Sequence, residues 1–197
     1  MDTAARQFGR ALTADEFLAT DQAGFGDAWR YELIDGVIIA HAAPSPDHGA
    51  ILAMLGVAIE SRLRARGRNG CRFETGSGAA PKLQQPPSAL IPDGMIRCGE
   101  HPRATFDIVS PSELEHVRKR DRRRARLQDI ESVQEIVEIY QREAAAHIYR
   151  RQADGIWSFD PVIGVQSPVE LRSIEMSIPL AEIYETVTLG SDDQDAN

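Results

Sequence analysis

Cysteine is nearly absent from this chain: Cys71 and Cys98 are the only two in 197 residues, and no CxxC pair occurs. That excludes a disulfide framework and makes a reduced, cytoplasmic protein the expectation. Long apolar runs are also missing. None approaches the roughly 18 residues that a membrane-spanning helix needs. The first residues, Met1-Asp2-Thr3-Ala4-Ala5-Arg6, lack the basic-then-apolar layout of a secretory leader. Positive charge is in short supply. The net charge is −8 and the isoelectric point near 5.1, which argues against general coating of nucleic acid. No internal repeat and no linker divides the chain.

What remains is the composition of a soluble globular protein, 42% hydrophobic and 26% charged. Residues 1–190 read as a single domain with a hydrophobic core. Residues 191–197, SDDQDAN, read as an acidic disordered tail. The scarce positive charge is concentrated. From Arg118 to Arg126 the chain reads RKRDRRRAR, seven basic residues and one acid in nine positions. Such a run forms either a solvated helix face or a set of phosphate contacts along a groove.

Local patterns supply the elements. Thr13-Ala14-Asp15-Glu16 is a capping box opening a short helix, and Asp21 to Ala28 is a loop. Asp35-Gly36 between two apolar runs predicts a hairpin over residues 30–40. Ser45-Pro46 caps a helix whose apolar stripe is Ile51, Leu52, Leu55, Ile59 and Leu63, ended by Gly67. Cys71 to Thr75 is a strand and Gly76 to Ser88 a loop. Ser112-Glu113-Leu114-Glu115 reads as a second capping box, with a helix running to about Ile130. Residues 134–140 and 145–151 are strands, Trp157 and Phe159 mark an edge strand, and Pro179 to Tyr184 form a last helical turn.

Two acidic residues sit beside short apolar runs. Asp93 lies in Leu90-Ile91-Pro92-Asp93-Gly94-Met95-Ile96, and Asp107 in Thr105-Phe106-Asp107-Ile108-Val109. A buried lone carboxylate is unfavourable unless it is paired or binds a metal. Two on neighbouring strands would face each other and collect a hard cation such as Mg²⁺ or Mn²⁺. Asp93 after proline also suits an ordinary turn.

The order of elements resembles the PD-(D/E)XK nuclease core, a restriction-endonuclease-like α/β (α+β) fold with a mixed β-sheet flanked by helices. Six stretches are similar to the Uma-two family: Leu12 to Leu18, Tyr31 to Gly36, Ala43 to His48, Ile91 to Asp93, Asp107 to Ser112 and Ile178 to Tyr184. The resemblance implies a metal-dependent endonuclease hydrolysing phosphodiester bonds in DNA. Asp93 and Asp107 would be its metal ligands, Asp107 standing where the family usually has Glu. Glu32 and His48 match positions that the family keeps in the same pocket. Val109 occupies the place two residues after the acid, so a basic residue must come from the following helix. Alignment puts Arg123 where the family has Lys, with Lys119 one turn earlier.

A helical wheel leaves two stripes open: Arg123, Leu127 and Ile130, or Leu114, Val117, Asp121 and Ala125. Arg stays protonated and is a poor general base. The alternative reading is therefore a catalytically inactive nuclease-fold protein serving as a DNA-binding or dimeric scaffold. A third is a hydrolase of small phosphate esters. A homodimer is expected, because cutting both strands of a duplex usually needs two sites. Ordinary roles are also open: Glu32 as an exposed strand residue, His48 as a neutral hydrogen-bonding residue. Glu138 and His147 lie in strands with nothing to tie them to the site. Arg123→Ala is expected to leave the fold intact.

Overall fold

The computed structural model describes residues 12–20, 30–76 and 81–189. The predicted 21–28 loop, residues 77–80 of the predicted 76–88 loop and the acidic tail lie outside those residues. Along the chain run helix α1 (Ala14–Ala19), hairpin strands β1 (Arg30–Ile34) and β2 (Val37–His41), and helix α2 (Pro46–Ala65). Strands β3 (Cys71–Thr75), β4 (Lys82–Leu83), β5 (Ser88–Ala89), β6 (Gly94–Cys98) and β7 (His101–Val109) follow. Helices α3 (Pro111–Leu114) and α4 (Val117–Gln128) lead to β8 (Glu135–Tyr140), β9 (Ala145–Arg151) and β10 (Trp157–Ile163). The hairpin of β11 (Pro168–Leu171) and β12 (Met176–Pro179) precedes α5 (Leu180–Ile183).

The main sheet has the order β10-β9-β8-β7-β6-β3. Only β7 and β8 are parallel neighbours, joined by the α3–α4 crossover; the other pairs are antiparallel. A smaller sheet runs β2-β1-β5-β4. The mixed sheet flanked by helices is the predicted architecture.

Side chains alternate across the main sheet, so its two faces differ in chemistry. One face presents Phe106 and Ile108 from β7, Val137 and Ile139 from β8, and Ala146 and Ile148 from β9. These pack against Ile51, Leu55, Ile59 and Leu63 of α2, the predicted stripe, and against the β11–β12 hairpin. Each fully buried Val, Leu, Ile or Phe among them contributes about 1.5–3 kcal/mol. The opposite face carries Asp107, Glu138 and His147 in one register row. Helix α4 lies over it, anchored by Leu127 in a cluster with Ile34, Leu90, Val133 and Ile136. The apolar face thus packs the sheet into the core while the opposite face carries ionisable side chains.

Four expectations need correction, and one hairpin was not expected. The second capping box is set by Ser110, not Ser112: the Ser110 N–H and hydroxyl both donate to Glu113, at 2.9 Å each. Pro111 takes the first helical position, where its missing N–H costs nothing. The helix also breaks at Glu115–His116 and restarts as α4. The 76–88 segment contributes short β4 and β5 to the small sheet. The β11–β12 hairpin was not foreseen. Finally, Cys71 and Cys98 are not reduced; they are directly opposed on β3 and β6 and joined by a disulfide. Among the described residues, no helix is long and apolar enough to cross a membrane.

Gly94 decides how closely α2 approaches the sheet beside Asp93. A Cβ there would lie 2.5 Å from Cζ of Phe73, and one on Gly56 of α2 would lie 3.0 Å from the same ring. The Phe73 ring is therefore lodged between two glycines. Gly94→Ala should overpack this contact and cost about 1–3 kcal/mol, read from the urea midpoint. An unchanged midpoint would mean that the ring has room to move aside.

Candidate active site

Asp93 is the residue just before β6. Gly94 stands opposite Phe106 in the antiparallel β6–β7 pair, so Asp93 comes beside Asp107. The two aspartates brace one another through the backbone. The Asp93 N–H donates to Asp107 Oδ1 at 3.4 Å, and the Ile108 N–H donates to Asp93 Oδ2 at 2.8 Å. Arg30 of β1 donates to Asp93 Oδ1 at 2.9 Å, and His48 Nε2 lies 3.3 Å from Oδ2. Ser45 and Pro46 start α2 so that its first turn brings His48 to the carboxylate.

Arg123 binds the second aspartate. Its Nη1 donates to Asp107 Oδ2. Its Nε and Nη2 donate to the Glu32 carboxylate at 2.9–3.0 Å. Glu32 is fully buried, and it also accepts from the Ile91 N–H at 2.6 Å and pairs with His41 at 2.9 Å. All five donors of the guanidinium lie on three nitrogens, and each nitrogen has a carboxylate. Glu32 is therefore not an exposed strand residue but the buried counter-ion of Arg123. The Arg123–Leu127 stripe faces inward, whereas Leu114 and Val117 of the competing stripe are 43% and 48% exposed.

The carboxylates are electrostatically unequal. Burial would raise Glu32, but the Arg123 charge and the bonds from His41 and Arg123 outweigh it and hold it well below the usual range. Burial opposes ionisation of Asp93 too, and His48, Arg30 and the Ile108 N–H overcome it, so its pKa is lowered. Asp107 goes the other way. Burial raises it, Asp93 and Glu32 add like charge, and Arg123 offsets only part. Two adjacent carboxylates with opposite shifts mark a place where added positive charge would be favourable.

A cavity of about 60 Å³ opens on this cluster, lined among others by Arg30, Asp93, Asp107, Lys119, Arg123 and Glu138. That is room for a few waters. No three His, Cys, Asp or Glu side chains among the described residues gather as an all-protein cation cage. Asp93 and Asp107 would supply two carboxylates to a small hard cation, with water and substrate completing its shell.

Lys119, one of two lysines in the chain, reaches the cavity from α4 but remains exposed. Partial burial lowers its pKa from the usual lysine value, with Glu32 and Glu113 opposing. Among the described residues, no hydrogen bond or ion pair holds its ammonium.

All six sequence candidates, Glu32, His48, Asp93, Asp107, Lys119 and Arg123, thus gather at one end of the sheet. Sequence reasoning missed Arg30, His41 and Glu138. Arg30 and His41 are cross-strand partners in the hairpin, and nothing in their local sequence distinguishes them. Glu138 carried a signal. It lies among Ile136, Val137, Ile139 and Tyr140, the same apolar setting that singled out Asp93 and Asp107. It is 3% exposed, sits opposite Asp107, and binds Arg124 at 2.9 Å with Arg120 at 3.4 Å. The basic run is accordingly half internal: Arg122 pairs with Asp35, and Arg126 with Asp35 and Asp129.

The expectation that Arg123→Ala leaves the fold intact does not suit this geometry. Removing the guanidinium strands a fully buried Glu32 charge, and breaking such a pair costs about 3–5 kcal/mol. Chemical denaturation of Arg123→Ala should show that loss, and adding Glu32→Gln should return part of it. A wild-type midpoint for Arg123→Ala would contradict the pairing.

Comparison with known proteins bears on the fold and the family. The chain is similar to a crystal structure described as a putative nuclease belonging to DUF820 from Anabaena variabilis, with a TM-score of 0.66 and 18% identity over 88% of this chain and 98% of that one. At that identity the likeness concerns the fold. No curated protein matches the chain. The profile of the Uma2 family, described as "Putative restriction endonuclease", matches residues 14–183, from α1 through α5. The chain belongs to that family.

Proposed function

We propose that this protein is a divalent-metal-dependent nuclease that hydrolyses phosphodiester bonds in DNA. The observation that carries the reading is the meeting of Asp93 and Asp107 on one face of the sheet, at a cavity flanked by Arg30, Lys119 and Arg123. Asp93 and Asp107 would hold Mg²⁺ or Mn²⁺. When bound, the cation supplies Lewis-acid charge at the scissile phosphate and lowers the pKa of water.

The side chains divide the remaining work. Arg123 is a positioning residue: its nitrogens are committed to Glu32 and Asp107, so it fixes the Asp107 carboxylate and offers no proton acceptor. Its charge still lies beside the place where a phosphate would bind. Arg30 and His48 fix Asp93. Lys119 is the basic side chain left free to meet the phosphate or to move a proton, and its lowered pKa suits that part. Of the exposed basic positions of the α4 run, Arg122 is paired with Asp35, and Arg118 and Lys119 are available to the DNA backbone.

One observation favours the scaffold reading instead. With every Arg123 nitrogen on a carboxylate, the guanidinium closes part of the space that a catalytic ammonium would share with Asp107. Plasmid cleavage by purified protein separates the two. An active enzyme needs added Mg²⁺ or Mn²⁺, loses cleavage in Asp93→Asn, Asp107→Asn and Lys119→Ala, and keeps its fold in Lys119→Ala. DNA binding with no cleavage in any metal would establish the scaffold. Turnover of nucleotides in place of oligonucleotides would indicate a small-ester hydrolase.

Metal binding should also register without activity. With a dissociation constant of ~1 mM and ~10 mM Mg²⁺, mass action stabilises the fold by roughly 1.4 kcal/mol. For a chain of this size that raises the melting temperature by roughly 3–6 °C. The same rise in Asp93→Asn would place the metal elsewhere.

A further inference from the structure

Beyond Glu138 the site face of the main sheet changes from acidic to aromatic. The register row runs Asp107, Glu138, His147, Pro161 across β7, β8, β9 and β10. Tyr149 and Phe159 are opposed one step along, on the same face as His147. The Phe159 ring meets His147 edge to face, with centroids 4.8 Å apart, and leans on Tyr149 at 5.2 Å. His147 is tied to the Tyr140 hydroxyl at 2.7 Å. Arg124 links this cluster to the cavity: its guanidinium lies 4.2 Å over the Tyr149 ring while binding Glu138. Phe159 is thus braced by two rings, yet 49% exposed on an outer strand.

We propose that Phe159 and its ring neighbours form a platform for an unpaired nucleobase of the substrate, so that the preferred DNA carries a single-stranded segment next to the cleaved bond. The inference rests on the nuclease reading of the neighbouring carboxylates. Three strand spacings, about 14 Å, separate β10 from β7, within reach of a short stretch of extended strand. An exposed ring held upright on an outer strand offers a π-face that any base can cover, and such stacking is insensitive to sequence. Bases inside a duplex already stack on their neighbours and cannot lie on it. Arg120 and Arg124 at the cavity edge beside the rings share Glu138, and Arg124 also meets Asp121; Lys119 next to them adds a third cation, so positive charge exceeds negative along this edge of α4, where the accompanying phosphates would run. That charge favours a polyanion over a second copy of the chain, whose matching face would bring like charges together.

The test is fluorescence anisotropy in EDTA with three labelled probes: a mixed-sequence single strand, a blunt duplex, and the same duplex with a single-stranded tail. Wild type is expected to prefer the tailed and single-stranded probes by about tenfold. Phe159→Ala and Phe159→Leu should remove the preference and leave blunt-duplex affinity unchanged, while Phe159→Trp should keep it. Equal binding of all three probes by wild type, or a preference that survives Phe159→Ala, overturns the platform. So does a change from dimer to monomer in Phe159→Ala, by sedimentation, with the preference intact, since the face would then belong to a second copy. Plasmid cleavage that needs Asp93 but shows no Phe159-dependent preference would remove the platform and keep the nuclease reading. A Phe159-dependent preference without cleavage in any metal would keep the platform and remove that reading.

Discussion

The guanidinium of Arg123 is the piece on which the rest of the site depends. It comes from α4, binds Glu32 on the small sheet and Asp107 on the main sheet, and so joins three elements at one buried point. Burying Glu32 alone would be prohibitive, and burying Arg123 alone equally so. Together they hold each other in fixed geometry, and Asp107 inherits that geometry. Asp93 is fixed separately, by Arg30 and by the Ile108 N–H. The two aspartates therefore meet at a defined separation although like charge pushes them apart. Part of that repulsion appears as the raised pKa of Asp107.

The same logic recurs one strand over. Glu138 is buried opposite Asp107 and holds Arg124, with Arg120 close by. Consequently the basic run of α4 is less a DNA-coating surface than a set of counter-ions for acids beneath it. Asp35, Glu32, Asp107 and Glu138 each take at least one of its arginines. This explains how a chain with a net charge of −8 can gather seven basic residues in nine positions. Of the basic residues that α4 leaves exposed, Lys119 stands at the cavity.

Much of this was legible in the sequence, for particular reasons. The Asp35-Gly36 turn is constrained by backbone sterics, and both residues do take positive φ, 52° and 76°. The α2 stripe is long enough for its period to be unambiguous. Asp93 and Asp107 stood out because carboxylates are costly among apolar residues, a rule that applied equally to Glu138 and was not followed through. Elsewhere the information was tertiary. Which stripe of α4 faces inward depends on Glu32, 91 residues away in sequence. The Arg30–Asp93 pair spans 63 residues. In β11 and β12, strands of four residues each bury only two apolar side chains, too few for alternation to be distinctive. The Cys71–Cys98 pairing follows from the β3–β6 register, which only the folded sheet defines.

The central claim is that Asp93 and Asp107 form a cation site whose shape Arg123 maintains. Anomalous diffraction from crystals soaked in Mn²⁺ tests it most directly. The account requires a single strong peak within coordinating distance of both carboxylates in wild type, lost in Asp93→Asn. A peak at Glu138 instead, or no peak in crystals where Arg123 still bridges Glu32 and Asp107, would contradict it.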